Sequence, residues 1–183
     1  ELTKEYFKES KNLQKKLFNE IKGKIKLQDT SLKFKDKKYY YWSKTETKGN
    51  YGKKIRQLIH GSKLEEVYFD GDIEKKKCGS DYFGLGAVSV SHSDDLLGYS
   101  LDLKGSEYYT IYIRNISTKK NLPDEIENTS GSITWSLDSK SFFYSKLDKF
   151  HRPRKIYKHI LGTAVQNDEL IFEEKDETFT CDI

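Results

Sequence analysis

The residues that most often carry out catalysis are scattered along this chain. Its four histidines, His60, His92, His151 and His159, have no spacing that would place two of them on one helix or strand face. The chain contains no Gly-x-Ser-x-Gly nucleophile turn, no Gly-x-x-x-x-Gly-Lys phosphate loop and no His-Glu-x-x-His zinc helix. We therefore predict no catalytic, cofactor-binding or metal-binding residue in this chain, and we interpret the histidines as structural or surface residues.

Three weaker motifs have simpler explanations. Gly84-Leu85-Gly86 resembles the start of a dinucleotide-binding turn, but the third glycine of that motif is absent. Asp70-Gly71-Asp72 resembles the start of a calcium loop, but the later acidic ligands are absent, so we predict a simple turn. Cys78 and Cys181 lie outside any Cys-x-x-Cys spacing, which predicts two reduced thiols.

Positive charge is concentrated in the N-terminal third of the chain. Residues 1–60 hold 17 Lys or Arg against 7 Asp or Glu, whereas residues 61–183 hold 16 against 22. A basic segment of this kind can contact nucleic acid, and such binding would weaken steeply with salt. Because the lysines are spread over several segments instead of forming one block, we interpret them as a solvated surface and predict no nucleic-acid partner.

A self-similarity at an interval of 45 residues is the strongest signal in the sequence. Val88-Ser89-Val90-Ser91 aligns with Ile133-Thr134-Trp135-Ser136, and the apolar stretch that follows each of them aligns as well. The same pattern aligns a third time with Thr178-Phe179-Thr180. A repeat of this length filled with short alternating strands is typical of a propeller blade of about four strands.

The remaining pattern divides the chain into a helix and successive blades. Leu13, Leu17, Ile21 and Ile25 recur at four-residue spacing, which predicts an amphipathic helix over residues 1–27 whose apolar stripe needs a packing partner. From Ser31 onward the hydrophobic period changes to two, as in strands. We predict a mainly β chain in which residues 28–183 form a partial propeller, with blades at about 31–72, 86–122 and 131–176, a polar crossover at 123–131, and the first strand of a fourth blade at 177–183.

Several stretches resemble one protein family, in the same order along the chain. They are Gln14 to Lys26, Tyr82 to Ala87, Gly98 to Asp102, Gly105 to Thr110, Leu122 to Asn128, Ile156 to Thr163 and Phe172 to Glu177. By these stretches the chain is similar to oligopeptidase B, also called protease II, in the prolyl oligopeptidase family of serine peptidases. The resemblance covers nearly the whole chain, from the helix that precedes the propeller through the first blades.

This resemblance implies the fold and the activity of a larger enzyme. Members of the family combine a seven-bladed β-propeller, which restricts entry to short peptides, with an α/β-hydrolase domain that carries the Ser, Asp and His of the catalytic triad. Oligopeptidase B members cleave after Arg or Lys. The resemblance therefore implies that this chain is a propeller fragment, inactive alone and without a cofactor, whose partners are the missing hydrolase domain and the remaining blades.

The resemblance also implies two residues that contact the catalytic domain. Asp81 lies just ahead of the Phe83-Gly84-Leu85-Gly86 segment, where related enzymes carry an acidic residue turned towards the catalytic domain. Glu107, in the turn that begins at Gly105, is a second candidate. An ordinary solvated loop carboxylate is the alternative interpretation of both residues.

The predicted cellular location depends on the absence of a membrane-spanning or signal segment, and the alternative function depends on open sheet edges. The chain has no apolar run long enough to span a membrane, and its start lacks a signal-peptide core, so we predict a cytoplasmic protein without membrane contact. The alternative function is a stand-alone interaction module that captures a peptide or another chain by strand addition. Open edges in a three-bladed fragment also predict self-association.

Overall fold

The computed structural model describes residues 1–183, which form two compact units. Unit 1 comprises Glu1–Ile73 and unit 2 comprises Glu74–Ile183. The structure contains three α-helices and thirteen β-strands, which confirms the predicted mainly β class. No helix is both long and apolar enough to cross a lipid bilayer.

Unit 1 consists of two helices followed by a small antiparallel sheet. The helices are α1 (Leu2–Tyr6) and α2 (Lys11–Lys24), and the strands are β1 (Asp29–Thr30), β2 (Phe34–Asp36), β3 (Tyr39–Thr45), β4 (Lys53–Leu58) and β5 (Glu66–Asp70). The strand order is β1-β3-β4-β5, and β2 also pairs with β3. Tyr41, Trp42, Ile55 and Phe69 are the buried apolar side chains of this sheet.

The prediction of a single helix over residues 1–27 is wrong, because the chain leaves the helical conformation between Phe7 and Ser10. The hydroxyl of Ser10 donates to the carbonyl oxygen of Phe7 at 3.0 Å, and a local bond of this kind competes with continuation of the helix. The predicted apolar stripe is present on α2, and Leu13, Leu17 and Ile21 are all exposed.

A third helix, α3 (Gly71–Cys78), replaces the turn predicted at Asp70-Gly71-Asp72. The Asp70 carboxylate accepts the backbone N–H groups of Asp72 and Ile73, both at 3.1 Å. This is the hydrogen bonding of an N-cap aspartate, which satisfies two donors that the first helical turn leaves without partners. The prediction of a turn was wrong because the same Asp-Gly-Asp sequence also suits a helix start.

Unit 2 contains two four-stranded antiparallel repeats within one sheet. Blade A consists of β6 (Gly84–Val90), β7 (Leu96–Asp102), β8 (Tyr109–Asn115) and β9 (Asn121–Thr129). Blade B consists of β10 (Thr134–Trp135), β11 (Ser141–Leu147), β12 (Pro153–Ile160) and β13 (Glu169–Glu173). The strand order is β13-β12-β11-β9-β8-β7-β6, with β10 paired to β11. A single pairing, Lys146 with Thr129, joins the blades within the sheet. The interval of 45 residues therefore separates equivalent strands, since β7 begins at Leu96 and β11 begins at Ser141.

The crossover predicted at residues 123–131 is wrong over most of its length, because β9 extends to Thr129. Pro123 lies where the pairing of β9 with β8 is irregular, between the pairs Tyr112–Glu125 and Arg114–Asn121. A bulge of this kind tolerates proline because no ladder hydrogen bond is required from it.

The core of unit 2 lies between the two blades. Ile111, Ile113 and Ile126 of blade A pack against the side chains of blade B, namely Ile133, Trp135, Phe142 and Tyr144. The indole N–H of Trp135 donates to the carbonyl oxygen of Ser89 in β6 at 3.1 Å. The blades therefore share one apolar core and cannot be separated without exposing it.

The strand predicted at residues 177–183 is not formed. The backbone N–H of Cys181 donates to the carbonyl oxygen of Pro153 at 2.8 Å, while Phe179 is exposed. A strand needs a ladder of backbone hydrogen bonds to a neighbour, and this single bond to the first residue of β12 does not make one.

Candidate interdomain site

Glu107 is presented to solvent by the β7–β8 loop, which folds around a buried carboxylate. Asp102, at the end of β7, is only 2% exposed. It accepts the backbone N–H groups of Lys104 at 2.8 Å, Gly105 at 3.0 Å and Glu107 at 2.7 Å. Burial alone would raise the pKa of Asp102, but these donors outweigh it and hold the pKa below its ordinary value. Glu107 itself adopts a φ of +60°, and its side chain points into solvent.

Asp81 lies in the segment beside this loop. The hydroxyl of Ser80 donates to the carbonyl oxygen of Leu103 at 2.7 Å, and Gly84 pairs with Asp102 in the sheet. Asp81 is exposed. The structure therefore places both predicted residues, Asp81 and Glu107, on neighbouring segments at one end of blade A, each free to meet an external partner.

The β11–β12 loop of blade B joins the same end of unit 2. The phenol of Tyr108 donates to the carbonyl oxygen of Asp148 at 2.8 Å, and its ring lies 4.0 Å from the ring of His151. The Asp148 carboxylate accepts the N–H groups of Phe150 and Arg152 at 2.8 and 3.0 Å. We call this end the loop face, and it comprises residues 80–82, 103–108 and 148–152.

A shallow cavity opens on the loop face between the blades. Its volume is about 270 Å³, and its lining comprises Glu107, Tyr109, Ser130, Leu147, His151 and Pro153. No local motif indicates that His151 and Glu107 line one cavity, since the two are on loops of different blades. The motif that could have indicated this is the repeat, which aligns the β7–β8 loop with the β11–β12 loop.

A buried ion pair lies in unit 2 away from the loop face. The guanidinium of Arg114 donates to both carboxylate oxygens of Glu74, at 2.9 and 2.7 Å, and to the hydroxyl of Tyr99 at 2.7 Å. Asn121 accepts the remaining Nε–H at 2.8 Å. Burial opposes ionisation of Glu74, but the bonds from Arg114 and then Lys77 outweigh it, so the pKa of Glu74 is lowered.

His159, which lies 45 residues after Arg114, forms the corresponding buried network of blade B. Its Nδ1 lies 2.7 Å from Asp168 and its Nε2 lies 3.0 Å from Asp124, while Tyr144 donates to Asp168 at 2.8 Å. Both ring nitrogens thus contact carboxylates, so neither can take a proton from a serine or cysteine nucleophile in this arrangement. His159 is a structural histidine here, whereas His60, His92 and His151 are exposed.

The structure contains no group of three or more His, Cys, Asp or Glu side chains arranged to hold a metal ion. Cys78 and Cys181 are both free thiols. The loop face, by contrast, combines two exposed carboxylates with a cavity between the blades.

The whole chain, residues 1–183, matches the family model described as prolyl oligopeptidase, N-terminal beta-propeller domain. It is 28% identical to dipeptidyl aminopeptidase BI of Pseudoxanthomonas mexicana over 92% of this chain and 25% of that protein. It is 32% identical to protease 2 of Moraxella lacunata over 78% of this chain and 21% of that protein. The chain therefore spans about a quarter of the length of these relatives.

Solved structures show the same fold. Oligopeptidase B from Leishmania major superimposes with a TM-score of 0.87 at 24% identity, over 97% of this chain and 25% of that one. The closed form of oligopeptidase B from Trypanosoma brucei, with covalently bound antipain, gives a TM-score of 0.82 at 24% identity over the same shares. The predicted partial propeller is thereby confirmed.

Proposed function

Because the chain belongs to the prolyl oligopeptidase family, as its N-terminal β-propeller domain, we propose that it is the propeller portion of an oligopeptidase B-like serine peptidase. The match of the family model to all 183 residues carries this proposal. The substrates of the whole enzyme would be short peptides cleaved after Arg or Lys. Two observations support the oligopeptidase B branch within the family: the sequence stretches that resemble oligopeptidase B, and the similarity to protease 2.

The role of this chain in such an enzyme is to gate the active site and to contact the catalytic domain. The loop face supports this role, because Asp81 and Glu107 project there without burial and the bond from Tyr108 to Asp148 holds the loops of both blades together. A rigid platform with exposed charges suits a surface that opens and closes against a partner. The catalytic triad would lie in the partner, an α/β-hydrolase domain, and this chain alone would hydrolyse nothing.

The test compares this chain with a full-length protein that carries the catalytic domain. We expect the full-length protein to cleave fluorogenic peptides after Arg and Lys and the 183-residue chain to cleave none. Serine-directed fluorophosphonate labelling of the short chain would contradict the inactivity. Faster cleavage after Pro than after Arg by the full-length protein would contradict the oligopeptidase B assignment while leaving the family unchanged.

The second candidate function is an interaction module that captures another chain at a sheet edge. The observation in its favour is β13, in which all five residues are exposed, Leu170, Ile171 and Phe172 among them. Exposed apolar edge strands favour pairing with a second chain, which also supports self-association. A neighbouring coding region with further blades and a Gly-x-Ser-x-Gly turn favours the peptidase, and its absence favours the module.

We propose neither nucleic acid nor a membrane as a partner, and we propose the cytoplasm as the location. The two free thiols support a reducing compartment, because exported proteins more often pair their cysteines.

A further inference from the structure

One contact across the seam between blades A and B depends on where a proton sits. Asp124 belongs to β9 of blade A, whereas His159 belongs to β12 and Asp168 precedes β13 in blade B. The His159 ring is 0% exposed, and so is its seam partner Asp124 in its side chain. The ring therefore connects the two blades in a place that bulk water does not reach.

The hydrogen bonds that the ring can make depend on how many protons it carries. Tyr144 donates to one oxygen of Asp168, and burial together with Asp168 raises the pKa of Tyr144, so the phenol stays a neutral donor. The other oxygen of Asp168 lies 2.7 Å from Nδ1 of the ring. Asp124 accepts the backbone N–H of Gly162 at Oδ1, while its Oδ2 is buried without a hydrogen-bond partner.

A neutral imidazole has one N–H and one lone pair, whereas the imidazolium has two N–H donors. Only the imidazolium can donate to Asp168 and Asp124 at the same time. After loss of one proton, Nδ1 would keep the shorter bond of 2.7 Å to Asp168, and the Nε2 lone pair would face Asp124 at 3.0 Å. The repulsion would then fall on the contact that crosses the seam.

We propose that His159 is a proton-dependent clasp, which joins blades A and B when its ring carries two protons and loosens their seam when it carries one. The titratable groups that face the ring are Asp124 from β9, Asp168 from the segment before β13 and, through Asp168, Tyr144 from β11. The ring of Phe142 lies against it at 5.3 Å and supplies no charge.

The equivalent position in blade A has no such dependence. Arg114, 45 residues earlier, binds Glu74 with a guanidinium that stays charged at every pH a protein meets. Histidine is the side chain whose ordinary titration falls between about pH 5 and 8. The proton dependence is therefore specific to the contact between blades A and B. This inference does not depend on the proposed peptidase function.

Two measurements on the 183-residue chain test the clasp. The first is the ¹⁵N spectrum of the His159 ring, in which we expect both nitrogens protonated at pH 6 and one deprotonated as the pH rises. The second is hydrogen exchange of the Gly162 amide, corrected for the intrinsic rate. One proton linked to closing of the seam changes its opening equilibrium by up to about tenfold per pH unit, so protection should fall by up to that factor for each pH unit over which the ring loses its proton.

The matched variant is His159→Gln. Glutamine has no group that changes its charge between about pH 5 and 8, so the protection of Gly162 should become independent of pH. The clasp is overturned if the wild-type ring holds a single proton at pH 6, or if the wild-type Gly162 protection is already flat. Should His159→Gln not fold, the ring spectrum of the wild-type chain decides alone.

Discussion

The hydroxyl of Ser100 donates to the carbonyl oxygen of Gly131 at 2.8 Å and accepts the backbone N–H of Ala87 at 2.9 Å. One buried side chain thus joins β6 and β7 of blade A to the segment that begins blade B. Ser145 occupies the equivalent position in β11, 45 residues later, and is also 0% exposed. Its hydroxyl has no hydrogen-bond partner.

These two serines should respond in opposite ways to replacement by alanine. Ser100→Ala leaves a buried N–H and a buried carbonyl without their partner, which should lower the free energy of unfolding by about 1–3 kcal/mol. Ser145→Ala removes a hydroxyl that satisfies nothing and should be neutral or stabilising by up to about 1 kcal/mol. Urea unfolding of both variants measures the difference. Equal losses in the two variants would show that Ser145 has a partner in solution.

The Arg114–Glu74 pair should be the most costly ion pair to break. Glu74→Gln leaves a buried guanidinium without its counter-charge, and loss of one partner of a buried pair costs about 3–5 kcal/mol. The bond from Arg114 to the Tyr99 hydroxyl remains, but a neutral acceptor does not balance the charge of the guanidinium.

The control for this prediction is Glu173→Gln, which breaks the half-exposed pair with Lys155 on the surface of blade B. An exposed pair contributes about 0–1 kcal/mol, so this variant should unfold nearly as the wild type does. Thermal or urea unfolding of the two variants side by side gives the comparison. A loss at Glu74 no larger than that at Glu173 would mean that Arg114 finds another acceptor.

The repeat made the strands of unit 2 predictable, because an interval of 45 residues is a property of the sequence alone. The same interval aligns Tyr99 with Tyr144 and Arg114 with His159, so it also indicates where the buried networks lie. It cannot indicate their acidic partners. Glu74 comes from a helix 40 residues before Arg114, and Asp124 comes from the neighbouring blade, so neither lies at a fixed spacing within the repeat.

Where the structure departs from the sequence-based predictions, the physical cause is local. The sequence does not predict helix α3, because its N-cap residue, Asp70, begins a sequence that equally suits a turn, and because seven of its eight residues are glycine, charged or cysteine. The outer strand β9 was cut short because Pro123 normally ends a strand, and only the paired register shows that it lies in a bulge. The placement of Asp81 beside the β7–β8 loop depends on the pairing of Gly84 with Asp102, which no local motif encodes.

The loop that presents Glu107 should lose stability in acid through Asp102. The lowered pKa of the folded carboxylate means that its ionised form stabilises the fold above the ordinary value of 3.8. This contribution is lost as the pH falls through the lowered value. Asp102→Asn, which can no longer accept three N–H groups, should lower the free energy of unfolding by about 1–3 kcal/mol at neutral pH.

The difference between Asp102→Asn and the wild type should shrink as the pH falls below 3.8, because protonated Asp102 resembles the amide. Unfolding curves at several pH values measure it. Asp95→Asn, at an exposed position of blade A, is the control and should change stability by no more than about 0.5 kcal/mol at any pH. A difference for Asp102→Asn that stays constant into acid would assign the loss to packing instead of charge.

Asp81 and Glu107 should matter only when the catalytic domain is present. In a full-length protein, Asp81→Asn and Glu107→Gln should each lower peptide turnover at low salt, since each removes one charge from the proposed closing surface. An exposed pair is worth about 0–1 kcal/mol, which corresponds to at most about a fivefold change in an open–closed equilibrium. The effect should vanish at high ionic strength, where such a pair is screened. Asp95→Asn is again the control, because Asp95 lies in the β6–β7 turn at the opposite end of blade A from the loop face. If turnover and its salt dependence are unchanged in both variants, the two carboxylates are ordinary solvated loop residues and the gating contact lies elsewhere on the loop face.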